Sequence, residues 1–202
     1  MVFYGASGHA KVVIEAWLAS GGTVTAVCDD NESIKRLLSY NVSGKYDRNR
    51  YPDADVFISI GSNSIRQKLA STLAGKFGTV VHPSAVISPT CTIGEGTVVM
   101  AGVIINAAAA VGRHVIVNTC ASVDHDCVLG DYTHISPNAT LCGDVTVGEG
   151  TQVGAGATVI PGVSVGKWVV IGAGSVVTRD VPDGAVVMGV PGKVVRVDSL
   201  PR

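Results

Sequence analysis

The hexapeptide Val123-Asp124-His125-Asp126-Cys127-Val128 sets one imidazole between two carboxylates. Imidazole is the side chain whose ordinary pKa lies nearest neutrality, so it both takes and gives protons there. A neighbouring carboxylate fixes which ring nitrogen holds the proton and makes the other more basic. That is the equipment of a general base acting on an amine or a hydroxyl. Four more histidines are available, His9, His82, His114 and His134; His82 precedes Pro83 and reads as a junction, and His114 is assigned no role. A second cluster lies near the start, where Gly5-Ala6-Ser7-Gly8-His9 follows the apolar run Val2 to Tyr4. A glycine turn between a strand and a helix lets phosphate approach backbone N–H groups at the positive helix end. Asp29 and Asp30 end the next strand-like run, where carboxylates accept hydrogen bonds from a ribose or a base edge. Gly5-x-x-Gly8 is only a fragment of a dinucleotide fingerprint and is a weak signal alone. The five cysteines (Cys28, Cys91, Cys120, Cys127, Cys142) are odd in number with no CxxC pair, as for reduced thiols in a cytoplasmic protein.

A period of six positions the histidine. Every sixth residue from Ile87 through Val177 is aliphatic, and only Leu129 and Leu141 among them are not β-branched. Neither a helical period nor simple alternation produces this. Four residues after each stands a small or β-branched residue, from Cys91 through Ser175. Each unit is one short strand and one turn, with one bulky and one small inward side chain. Three units close a triangular coil of 18 residues, and coils stack as parallel strands about 4.8 Å apart. On this arithmetic Val123 and Cys127 point inward, His125 points outward near a corner, Gly143 lies one coil above it, and Ala155 lies directly below Ala173. Gly143 would leave room beside the ring and offer its N–H to an oxyanion; the alanine column would form a shallow groove. A cysteine nucleophile is disfavoured, since Cys127 is inward and Cys142 has no evident base. Glycines following the aliphatic residue (Ile93-Gly94, Val111-Gly112, Leu129-Gly130) are expected to free the backbone at corners.

Residues 1–80 read differently. A helix from His9 to Ala19 would bury Val12, Val13, Ala16 and Trp17, and a strand would run from Thr23 to Cys28. Ile34, Leu37 and Leu38 suggest a short helix, residues 41–54 a polar loop, and Val56 to Ile60 a buried strand. Gly61-Ser62-Asn63 would then cap a helix whose inner face is Ile65, Leu69 and Leu73. Alternating β and α elements imply a small parallel sheet, half of a Rossmann-like unit. The expected division is 1–80, a Rossmann-like βαβαβ domain, and 81–202, a β-helix with a C-terminal cap. The first strand begins at residue 2, as in a domain cut from a longer protein. A formal net charge of −1 argues against a nucleic-acid binder. No apolar run approaches the roughly 18 residues that span a bilayer, and the first residues lack the pattern of a secretory signal.

The six-residue pattern over about residues 82–195 resembles the hexapeptide-repeat acyltransferases. The resemblance implies a left-handed parallel β-helix; spacing does not fix the hand, and the usual crossover rule favours the other one. With the N-terminal unit, the stretches YGASGHA, Asp29-Asp30, IGSNSIRQKLA, HPSAVISP and NTCASVDHDCVLGDYTHISPNATLCGDV resemble the sugar acetyltransferases acting on nucleotide-activated 4-amino sugars. The UDP-N-acetylbacillosamine type is the nearest match, with sialic acid O-acetyltransferases and perosamine N-acetyltransferases as relatives. The resemblance implies direct acetyl transfer from acetyl-CoA to the 4-amino group of a UDP-linked 4-amino-4,6-dideoxy sugar, a glycosylation precursor. His125 would be the general base, with Asp126 supporting it where relatives carry Glu, Asp124 competing for that role, and Gly143 completing the catalytic set. Ser7, Gly8, His9, Asp29, Asp30 and Gly61 would hold the nucleotide sugar, and His134, Gly143, Ala155 and Ala173 would line the acetyl-CoA site. Lys167, Arg179, Lys193 and Arg196 are candidates for the CoA phosphates. The assembly expected is a cytoplasmic homotrimer with acetyl-CoA between adjacent helices and no metal. The readings kept beside it are a sugar O-acetyltransferase of the sialic acid type, a GDP-perosamine N-acetyltransferase, a γ-carbonic-anhydrase-like lyase and a non-catalytic sugar-nucleotide binder. The lyase needs three imidazoles on one zinc, and His114, His125 and His134 do not share one 18-residue column.

Overall fold

A computed structural model describes residues 1–200. The chain opens with β1 (Val2–Tyr4), α1 (Gly8–Ala19), β2 (Ala26–Cys28), β3 (Arg36–Leu37), β4 (Tyr40–Asn41), β5 (Val56–Ile58) and α2 (Asn63–Thr72). β1 lies between β2 and β5, all parallel, with Phe3 opposite Val27 and Phe57. All three residues of β1 are buried, as a central parallel strand covered on both faces requires.

Two local expectations are corrected. The buried residues of α1 are Ala10, Val13, Ile14 and Ala16, so Val13 and Ala16 face in as expected, while Val12 is 45% exposed and Trp17 only partly buried. Ala10, Val13, Ile14 and Trp17 follow the i, i+3, i+4, i+7 stripe better than the set read from sequence. The short helix around Ile34 to Leu38 is instead an antiparallel hairpin of β3 and β4, turned by Leu38 at φ 52°. A segment this short does not support a helical nucleus, and the hairpin lets Val42 bridge to Val27 beside the sheet.

From Val80–Val81 onward, two-residue strands recur every six residues and stack as three parallel sheets, a β-solenoid of three-sided coils. The first face runs from Val86–Ile87 up to Val176–Val177, and the second from Thr92–Ile93 up to Ser164–Val165. The third starts at Val80–Val81 and climbs to Val170–Ile171, where Ala185–Met188 adds in parallel and Lys193–Val197 closes it antiparallel. Registers advance by 18: Ile105 pairs with Val123, and Val123 with Leu141. The six-step aliphatic residues from Val99 to Val177 are buried, whereas Ile87 and Ile93 in the first coil are only partly so. Two of the inward threonines find partners, the Thr97 and Thr151 hydroxyls donating to the Gly112 and Gly166 carbonyls, whereas the Thr133 hydroxyl at the equivalent position has none among the described residues.

The corner glycines serve close approach rather than backbone freedom, which corrects that expectation. A Cβ on Gly94 would stand 2.6 Å from the Gly112 carbonyl, and one on Gly148 2.6 Å from the Gly166 carbonyl carbon. The left-handed backbone falls two residues later, often without glycine, at His114, Tyr132 and Trp168.

The N-terminal sheet and helices cover the lower part of the third face. Outward residues Val80, Val98 and Ile116 there are 0–2% exposed, while Val86 and Ile104 on the first face are 64% and 44% exposed.

Candidate active site

His125 stands on the corner between Ser122–Val123 of the first face and Val128–Leu129 of the second. Val123 and Cys127 are fully buried on either side, so the peptide between them is held and the imidazole projects outward, 58% exposed. Asp126 follows at φ 59°, a sharp turn that brings its carboxylate beside the ring, with Oδ2 2.8 Å from Nδ1. An ionised carboxylate only accepts, so Nδ1 carries the proton and Nε2 keeps its lone pair free. The shorter arm of Asp126 therefore suffices. Asp124 is engaged elsewhere: Oδ1 accepts the His125 backbone N–H at 2.8 Å and the Asn106 amide at 2.7 Å. The Asp126 hydrogen bond, then the Asp124 charge, raise the His125 pKa above its ordinary value.

Gly143 lies directly above. A Cβ there would stand 2.6 Å from both Cε1 and Nε2 of His125, so the ring holds this position only because residue 143 has no side chain. Among the described residues the Gly143 N–H has no hydrogen-bond partner, which leaves it free for an acyl oxygen.

Ala155 and Ala173 do stack, with Gly174 N–H donating to the Ala155 carbonyl at 2.8 Å, and both are exposed. They sit on the corner between the third and first faces, Ala155 between Gln152–Val153 and Thr158–Val159 and Ala173 between Val170–Ile171 and Val176–Val177. This is a different edge from that of His125. One chain thus presents a base-bearing edge and a small-residue edge, and does not bring them together. Arg179 and Lys193 share a cleft of about 400 Å³ near the top of the helix, whereas Arg196 is tied to Asp198 at 3.0 Å.

His134 faces out from the third face, partly covered by the N-terminal domain. Asn118 Oδ1 accepts the Thr119 N–H at 2.8 Å, so its amide nitrogen is the group turned to His134 Nε2 at 3.1 Å. Nε2 therefore accepts, and the ring proton belongs on Nδ1. Burial, then Arg66 and His9, push the His134 pKa down to about 3 against an opposing contact with the Gly61 backbone. His134 is a neutral wall at ordinary pH. The His9 ring lies 6.4 Å from it between centroids, and a Cβ on Gly61 would meet His9 Cγ at 4.0 Å. Burial and then Arg66 hold His9 down at about 4. His9, Gly61 and His134 thus meet at the domain junction.

Ser7 is the N-cap of α1 without a side-chain capping bond, and nothing lies within 4 Å of a Cβ placed on Gly8. The helix N-terminus is open to an anion. Asp29 is not a free acceptor: Oδ2 takes the Ala6 N–H at 2.6 Å and Oδ1 the Asn31 N–H at 2.8 Å. It shapes the turn. Asp30 accepts from the Tyr4 hydroxyl through one oxygen and lines a cavity of about 120 Å³ with Tyr4, Gly5, Ile60, Ile65 and Leu69. A larger cleft of about 540 Å³ shares Tyr4 and Asp30 and adds Lys45, Arg48 and Lys68, cations the sequence reading did not single out.

The inner face expected for α2 holds at Leu69 and Leu73, which are partly buried against the core of the N-terminal sheet, and is corrected at Ile65. Ile65 is 49% exposed, and Arg66 beside it is 1% exposed. Hydrophobic periodicity treats arginine as solvent-facing, so no pattern in this stretch marks it. His114 is a packing residue, stacked on Tyr132 at 5.4 Å and met edge-on by Phe77 at 4.6 Å. His82 accepts from Ser84 and closes a turn. Among the described residues no three His, Cys, Asp or Glu side chains gather to hold a metal ion, and no helix is long and apolar enough to cross a membrane.

Residues 1–73 match the PglD N-terminal domain family, and residues 144–179 match the bacterial transferase hexapeptide (six repeats) family. UDP-N-acetylbacillosamine N-acetyltransferase of Bacillus subtilis (strain 168) is 44% identical over 100 residues, covering 45% of this chain and 46% of that protein. The matches span less than half the length of such curated relatives. The structure of PerB from Caulobacter crescentus, in complex with CoA and GDP-perosamine, superposes with a TM-score of 0.91 at 44% identity, over 96% of this chain and 95% of that one. The acetyltransferase domain of PglB from Neisseria gonorrhoeae FA1090 superposes with a TM-score of 0.88 at 37% identity, over 96% and 98%. The same domain is known in complex with acetyl coenzyme A.

Proposed function

The chain belongs to the hexapeptide-repeat sugar N-acetyltransferases that carry a PglD-type N-terminal domain, and on that premise we propose that it moves the acetyl group of acetyl-CoA to the 4-amino group of a UDP-linked 4-amino-4,6-dideoxy sugar. The observation that carries the reading is the His125 imidazole, pinned at Nδ1 by Asp126 and resting with Nε2 over Gly143. The amine attacks the thioester carbonyl, and His125 Nε2 takes the proton it loses. The C–N bond forms first, giving a tetrahedral intermediate; its collapse breaks the C–S bond, and the CoA thiolate leaves, reprotonated from His125. The Gly143 N–H meets the oxyanion of the tetrahedral intermediate. Direct transfer needs no covalent enzyme intermediate.

The sugar nucleotide would lie across the open N-terminus of α1, with Ser7, Gly8 and His9 under its phosphates and Asp30 toward its base or ribose. Asp29 holds that turn in shape. The amino group of the sugar would reach the junction of His9, Gly61 and His134. Acetyl-CoA would run along the Ala155 and Ala173 edge. Because that edge and the His125 edge are separate corners of one prism, a complete site needs the His125 edge of one copy beside the alanine edge of another. A homotrimer closes three such sites by rotation. The use of acetyl-CoA and the free thiols support a cytoplasmic reaction.

A GDP-linked amino sugar such as GDP-perosamine is the second reading, favoured by the nearly full-length likeness to the Caulobacter enzyme. Incubation with acetyl-CoA and a panel of UDP-, GDP- and CMP-linked sugars, read by mass spectrometry, separates the readings. Gain of one acetyl by the UDP 4-amino sugar is expected. Turnover of GDP-perosamine alone would favour the second reading, and acetylation of only a hydroxyl sugar would make this an O-acetyltransferase. No transfer to any of them would overturn the proposal.

Only neutral imidazole takes a proton, so kcat/KM for the sugar rises with pH through the His125 pKa. Asp126 raises that pKa. Asp126→Asn should move the lower limb of the pH–rate profile to lower pH and cut its plateau by about tenfold, as the ring loses its orienting partner. The amine's own ionisation is common to both proteins, so the difference between profiles isolates His125. An unmoved limb would remove Asp126 from the mechanism.

A further inference from the structure

Arg66 belongs to α2, is 1% exposed, and has no carboxylate in ion-pair contact among the described residues. A buried cation without a counterion must be solvated by dipoles. Here Nε donates to the His114 carbonyl at 2.7 Å, and Nη1 to the Ile60 and Gly61 carbonyls at 3.1 and 3.2 Å. Nη2 donates to the Tyr132 and Thr133 carbonyls at 2.8 and 3.2 Å and to Asn63 Oδ1 at 3.0 Å. His114 and Tyr132 are one coil apart, so a single planar fork spans two coils, its own helix and the loop that leads into it. Only guanidinium carries enough fixed N–H groups to do this.

We propose that Arg66 is a positioning residue: it locks the Ile60–Gly61 loop onto two successive coils of the third face, and so fixes where the nucleotide-sugar half of the site meets His134. The proposal deepens the acetyl-transfer reading and rests on it. Gly61 abuts His9, and its backbone faces His134. Burial pushes the guanidinium pKa down only to about 9, so it stays charged at neutral pH. Its charge adds to the burial that keeps His9 and His134 neutral; each of these rings also faces the other across the junction.

Lysine separates the two effects, because it keeps a charge but offers three donors from one point. Arg66→Lys is expected to weaken sugar-nucleotide binding about tenfold, the scale on which misplaced groups act, by calorimetry and as KM, and to leave the acetyl-CoA KM unchanged. By NMR, His9 and His134 in that variant should stay unprotonated down to about pH 5, as in the unaltered protein, the range expected of buried imidazoles. In Arg66→Met both rings should take up protons at higher pH than in the unaltered protein; if that variant does not fold, the lysine variant decides alone. Unaltered sugar affinity in Arg66→Lys would overturn the proposal, as would an equal loss for both substrates. Such results in a protein that still transfers acetyl leave the function standing, whereas an unaltered protein that neither binds nor acetylates sugar nucleotides sinks both.

Discussion

His125→Ala should lower kcat for acetyl transfer by about 10²–10⁴, the usual worth of a positioned general base. Both KM values should change little, because the imidazole is assigned no share in holding either substrate. The protein should fold as before: the side chain is 58% exposed, and its neighbours Val123 and Cys127 keep their places inside the coil. The only side-chain partner lost is the Asp126 carboxylate, which is itself 60% exposed and returns to water. Steady-state kinetics with the sugar nucleotide identified by the panel, beside a thermal melt, checks this. A folded variant with full kcat would leave the proton of the attacking amine without a destination in this structure and would remove His125 from the mechanism.

Gly143→Ala should cost about 10²-fold in kcat, the loss expected when a reacting group is displaced by about 1 Å. The added methyl would sit 2.6 Å from Cε1 and Nε2 of His125, so something must move. The backbone is poorly placed to yield, since Asp144 N–H donates to the His125 carbonyl at 2.9 Å and Gly162 N–H to the Gly143 carbonyl at 3.0 Å. The ring is exposed and free to swing, so it is the ring that gives way, breaking its 2.8 Å contact with Asp126. Stability should fall little and catalysis much. Because both changes remove the same imidazole from its post, His125→Ala with Gly143→Ala should be scarcely slower than His125→Ala alone. Additive losses in the double variant would show that Gly143 acts independently of the ring, through its N–H or the space it leaves.

The coil stack was legible because its signal repeats. Each inward position is dictated by neighbours in its own coil and by equivalents 18 residues away, so Val123, Cys127 and Leu141 could be placed from spacing alone. The same arithmetic put His125 on an outer corner with Gly143 above it, and the structure shows that juxtaposition. The N-terminal domain has no repeat to average over. Its sheet was readable from apolar runs, but the 36–41 hairpin was not, and the inner faces of α1 and α2 were read only in part, because one register step in a short element changes which residues face in.

Chain pattern alone therefore settled a three-sided parallel solenoid, its inward residues, and the column that sets an imidazole over a glycine. Two matters depended on the assembled fold: that the small sheet docks on the third face, and that a buried Arg66 joins the two domains. Repetition makes inward and outward a local property, encoded in each hexapeptide. Docking is a relation between two unlike surfaces far apart in sequence, where shape and the satisfaction of buried dipoles decide, and no period along the chain records it.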